Sequence, residues 1–179
     1  MTARIVMVSV GLLGVLAFIV IAELGINAGL IHYGVKIGHL DVGGMTPREA
    51  ERLIEDVGRE MASTPIVFRG GGLGPYSWTP SELDWEPRKV EMSRQAMDVG
   101  RTGNLFRSLA DRVKSWTGGI RLRWSPPDRG KVELVALIVA QDADETTRLT
   151  VDEAKLESLI IEAVWDWPRA RFYEIPFES

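Results

Sequence analysis

Hydrophobic residues are unevenly placed along the chain. From Ile5 to Ala22 the run IVMVSVGLLGVLAFIVIA carries no charge. A helix rises about 1.5 Å per residue, so roughly 20 residues cross a hydrocarbon core about 30 Å thick. The run is longer than the apolar core of a cleaved leader and shows no convincing small-x-small exit, so it predicts a retained signal-anchor. Arg4 before it and Glu23 after it place the N-terminus in the cytoplasm and the remainder outside. The expectation is a single-pass protein of the cytoplasmic membrane. Residues 1–32 form the transmembrane anchor and a short juxtamembrane segment, with residues 5–22 in contact with lipid. Residues 33–179 form one extracytoplasmic domain.

Beyond the anchor the periodicity changes. Val35, Ile37, Leu40 and Val42 alternate, predicting one or two short strands with a bend at Gly38. Thr46-Pro47-Arg48-Glu49 has the form of a capping box with proline at the first helical position. Ala50, Leu53, Ile54, Val57 and Met61 follow at helical spacing, so that helix buries one face. Residues 65–69 and 76–79 read as a hairpin around a glycine-rich turn, with a single helical turn at 80–83. Residues 89–99 predict a second helix and 103–116 a third. Ile120 to Trp124 alternates as a strand with one wet face. Val132 to Ala140 is strongly apolar and reads as another strand, followed by a solvated turn at 142–145. A last helix runs from Asp152 to about Val164, and the tail at 171–177 is expected to add an edge strand. The fold class expected is α/β (α+β): a transmembrane helix, then one small mixed-sheet domain with about four helices.

Composition narrows the chemistry. The chain has no cysteine, which excludes disulfides, thiolate metal sites and thiol nucleophiles. The net charge of −4 hides an asymmetry: residues 88–131 hold 11 Lys or Arg against 4 Asp or Glu. That segment reads either as solvated helix faces of mixed charge or as a patch for an anionic polymer or lipid head groups.

The stretch GVKIGHLDVGGMTPREAERLI, residues 34–54, resembles the opening of the YoaR-like domain, to which peptidoglycan binding is assigned. That domain accompanies VanW-type domains of vancomycin-resistance proteins and some membrane-anchored L,D-transpeptidases. Trp78-Thr79-Pro80-Ser81-Glu82-Leu83, Val99-Gly100-Arg101 and Gly103-Asn104-Leu105-Phe106 extend the resemblance over roughly residues 33–164. It implies a bacterial cell-envelope location and a peptidoglycan ligand. The transpeptidases of that group use a cysteine nucleophile, which this chain lacks.

Enzyme signatures fail. There is no G-x-S-x-G elbow, and Gly130-Lys131 lacks the upstream glycine of a P-loop. Two histidines, His32 and His39, are too few for a His-rich metal site and are expected at the surface. Glu82, Asp84 and Glu86 are expected to face solvent rather than to form a hydrolytic pair. No cofactor, metal or nucleic-acid partner is expected. Sugar rings pack their C–H faces on flat aromatics, so Trp78, Trp85 and Tyr76 are the first candidates for glycan contact, with Arg101 and Asn104 as polar partners. Trp124, Trp165 and Trp167 are further aromatics. The function expected is a membrane-anchored, non-catalytic module that contacts peptidoglycan, its precursors or another anionic envelope polymer. The alternative is a structural module that positions a cell-wall enzyme without binding glycan.

Overall fold

The computed structural model describes residues 29–101 and 119–178, together with Gly11, Gly14 and Val15. Among the described residues, four α-helices and two three-stranded sheets make a small α+β domain. Among the described residues no helix is long and apolar enough to cross a membrane. This corrects the expected transmembrane helix and, with it, the single-pass placement and the orientation. Residues 5–22, apart from Gly11, Gly14 and Val15, lie outside the described residues. The expected third helix and Asn104 also lie outside them.

The domain core is already present at Ile31. Its side chain is buried, its N–H donates to the Met45 carbonyl at 2.8 Å, and its carbonyl accepts from Gly44 N–H at 2.8 Å. His32 is buried too, against the expected surface position. Strand β1 (Val35–Ile37) turns through Gly38 and His39 into β2 (Leu40–Asp41), with Ile37 opposite Leu40. Gly38 has a φ of 58°, which a side chain would disfavour, and a Cβ there would lie 2.4 Å from Trp124 Nε1. The expected bend at Gly38 is therefore a two-residue hairpin turn packed on an indole.

Helix α1 (Pro47–Ser63) starts at the expected box: Thr46 Oγ1 accepts from Glu49 N–H, and the Glu49 carboxylate accepts from Thr46 N–H at 2.8 Å. Ala50, Ile54, Gly58 and Met61 form its buried face. Strands β3 (Ile66–Gly70) and β4 (Leu73–Trp78) make the expected hairpin, with a bulge between Phe68 and Gly70. A 3-10 turn follows at Pro80–Leu83, then α2 (Lys89–Asp98), which packs on α1. Strand β5 (Ile120–Leu122) joins β1 in parallel, giving the order β2-β1-β5. Strand β6 (Tyr173–Glu174) joins β3 in parallel, giving β4-β3-β6. The mixed pairing agrees with the expectation, but it is divided between two small sheets rather than gathered in one.

The largest difference from the sequence reading falls on residues 132–145. Helix α3 (Arg129–Thr147) occupies the segment expected as a strand and a turn. Asp128 caps it by accepting from Lys131 N–H at 3.0 Å. Val132, Val135, Ala136, Val139 and Ala143 are buried at helical spacing. Helix α4 (Glu153–Trp165), capped by Asp152, then packs against α3. The expected helix from Asp152 and the tail strand both agree with the structure.

Candidate functional site

Among the described residues, two open clefts are candidate sites. The first, about 400 Å³, lies where α1 meets the segment after the 3-10 turn and is lined by Glu55, Arg59, Ser81, Asp84, Trp85, Glu86 and Pro87 among others. It is where the sequence ranking pointed, but it offers no aromatic face. Trp85 is only 1% exposed, and its indole N–H donates to the Ser125 carbonyl at 2.7 Å. Trp85 is a core residue, set edge-on to the buried Trp124 with centroids 5.9 Å apart.

The other candidates from the sequence are also separated. Tyr76 and Trp78 stack on one face of β4, with centroids 5.8 Å apart and rings nearly parallel. Both are half-buried. The Tyr76 hydroxyl donates to Asp142 on α3, and burial together with that hydrogen bond pushes its phenol up to about 12. Tyr76 therefore fastens the hairpin to α3. Arg101 donates to the carbonyls of Met97 at 2.9 Å and Leu30 at 2.6 Å, which ties the end of α2 to the start of the domain. Glu82 is occupied by Thr79, accepting from its N–H at 2.7 Å and its hydroxyl at 2.9 Å, while Asp84 lies 3.7 Å from the Lys131 ammonium. Among the described residues no group of three metal-ligating side chains occurs.

The second cleft, about 480 Å³, is the stronger site. The β1–β2 turn contributes Gly38 and His39. Strand β5 and the residues after it contribute Arg121, Leu122, Arg123 and Trp124. Helix α4 and the tail contribute Leu159, Glu162, Trp165, Asp166, Trp167 and Tyr173. The parallel pairing of β5 with β1 sets Arg121 beside Lys36 and Leu122 beside Ile37, which brings the β1–β2 turn to the arginines. The α4 end is fixed separately. The Trp165 indole N–H donates to the Ser125 carbonyl at 3.2 Å, sharing that acceptor with Trp85. Arg169 donates to the carbonyls of Thr64 and of Met61, and its guanidinium lies 5.3 Å from the Trp167 ring centroid.

Trp165 and Trp167 are half-buried, and the guanidinium of Arg123 lies 5.5 Å from the Trp165 ring centroid. That cation–π contact sets an exposed guanidinium beside an indole, a pairing suited to a planar anion. Arg121 and Arg123 are exposed, and neither pairs with a carboxylate among the described residues. Asp166 accepts from the Tyr173 hydroxyl at 2.8 Å; burial, then this bond, pushes the Tyr173 phenol well up. Partial burial lowers the pKa of His39 from its ordinary value. The cleft thus offers indole surface, two guanidiniums and two carboxylates. Such a surface can bind and orient a ligand.

Fold and cleft together define a small α+β domain with an aromatic, mixed-charge binding cleft. Comparison with family models, curated proteins and solved structures gives no match for the chain.

Proposed function

We propose that the chain is a non-catalytic cell-envelope module that contacts peptidoglycan or its precursors through the cleft between β5 and the α4 end. The observation that carries the reading is the meeting of Trp165 and Trp167 with Arg121 and Arg123 in one open cleft. Indole faces pack the C–H surface of sugars, and guanidiniums bind the carboxylates of wall peptides. The resemblance of residues 34–54 to the YoaR-like domain supports the same ligand class. The test is co-sedimentation of the full chain with purified sacculi. Pelleting supports the reading, retention in the supernatant at low and high salt opposes it, and clearing of the sacculi would reveal a hydrolase instead.

A second reading has an observation of its own. Leu134, Leu137 and Ile138 share the outer face of α3 and are 52%, 44% and 45% exposed. Contiguous exposed apolar surface of this kind is a common mark of a protein contact. It favours the module that positions a cell-wall enzyme. Under that reading the chain alone stays in the supernatant with sacculi, and Leu137→Glu abolishes capture of the enzyme. Capture that survives Leu137→Glu would count against it.

A further inference from the structure

We infer that the cleft takes the end of a short peptide, its free carboxylate held by Arg121 and Arg123 and its apolar part packed on Trp165 and Trp167. The inference deepens the wall-binding reading and rests on it for the source of the peptide. The chemistry stands on three observations.

The first is a like-charge pairing. Lys36 and Arg121 are register partners in the β1–β5 ladder, so their side chains leave the same face of the sheet. Like charges set directly opposite each other are unfavourable, and a bound anion relieves that repulsion. Asp41, across the sheet from Lys36, is engaged by Gly43 N–H at 3.0 Å and does not reach an ion pair with either cation.

The second is pre-organisation. Arg123 sits over Trp165, and Trp165 is itself held by its bond to the Ser125 carbonyl. A guanidinium fixed on an aromatic face loses less side-chain freedom when it forms a bidentate pair with a carboxylate.

The third is the balance of charge. Glu162 and Asp166 also line the cleft, so the two arginines are matched by two carboxylates. A polyanion such as a polyphosphate chain would meet both acids. A peptide with one terminal carboxylate and an amine elsewhere suits both signs.

The experiment is an NMR titration of the full chain that follows the indole N–H signals. The probes are acetyl-Lys-D-Ala-D-Ala, the same peptide with its C-terminus amidated, and inorganic phosphate. The acid should move the Trp165 and Trp167 signals in a saturable way. The amide should bind at least tenfold more weakly, and phosphate should not compete. In the double variant R121Q/R123Q the acid should lose tenfold or more in affinity, while the Trp85 signal keeps its position and reports an intact core. Equal binding of acid and amide, displacement by phosphate, full affinity in the double variant or no binding of the acid would each overturn the inference. Sacculus sedimentation separates the two proposals. Pelleting that survives R121Q/R123Q removes the peptide site and leaves wall binding in place. Peptide binding by a chain that does not pellet removes wall binding and leaves the cleft chemistry.

Discussion

Trp85→Ala separates a core role from a ligand role at the position the sequence ranked among the first. The indole is 1% exposed, packs against Trp124 and donates to Ser125. Truncating a buried tryptophan to alanine costs roughly 3–5 kcal/mol in lost burial and residual cavity. The hydrogen bond adds little, about 1 kcal/mol net, because the Ser125 carbonyl keeps the Trp165 donor and is not orphaned. A domain of this size has about 5–15 kcal/mol in total, so the variant folds but with much of its margin gone. With a urea dependence of about 1–3 kcal/mol per M, the midpoint should fall by about 1–6 M. Trp85→Phe, which refills most of the volume, should lose no more than about half as much. Urea unfolding followed by circular dichroism makes the measurement. A Trp85→Ala midpoint within about 0.3 M of wild type, at unchanged slope, would refute the packing argument and return Trp85 to the list of ligand-facing aromatics.

Other expectations follow from single contacts. Gly58→Ala would ordinarily stabilise a helix interior by about 1 kcal/mol. Here the new Cβ would stand 2.4 Å from Pro87 Cβ and 2.5 Å from its Cγ, so overpacking of about 1–3 kcal/mol should win and the urea midpoint should fall; a raised midpoint would contradict this. The carboxylates of Glu49 and Glu82 are held below their ordinary value of 4.5, chiefly by the backbone N–H groups of Thr46 and Thr79. A lowered folded pKa gives stability that is complete above the unfolded value and disappears as the pH falls through the folded one. The unfolding midpoint should therefore drop below about pH 4.5. The Glu49→Gln/Glu82→Gln double variant should flatten that drop, and an unchanged acid limb would count against the caps. Arg148 closes α3 at a φ of 60°, so Arg148→Gly should stabilise the chain by about 1 kcal/mol; a lower melting temperature would oppose that.

Local signals in the sequence were read well where they are backbone chemistry. The Thr46 box, the bend at Gly38, the glycine turn of the β3–β4 hairpin and the Asp152 helix start each depend on a few neighbouring residues. Helix α3 was misread because its outer face is apolar as well. Leu134, Leu137 and Ile138 fill the gaps between Val132, Val135, Ala136 and Val139, which erases the 3.6-residue period and leaves a run that looks like a buried strand. Asp128 after Pro126-Pro127 was the available signal, since an acidic N-cap follows two helix breakers. The division into two sheets was not legible because both parallel pairings join segments far apart in sequence.

The cleft proposed as the site holds indoles and guanidiniums, the residue types the sequence points to, but neither Trp78 nor Trp85 lines it. The cleft instead assembles residues 38–39, 121–124 and 159–173 through the β1–β5 pairing and the α4 end. Arg169, which fastens the loop holding Trp167 to the end of α1, gave no sequence signal at all.

Contact of this domain with the cell wall is what we propose. Co-sedimentation of the full chain with purified sacculi tests it most directly. The account predicts that the protein pellets and that Trp167→Ala reduces the pelleted fraction. A wild-type chain that stays in the supernatant at both low and high salt would contradict it.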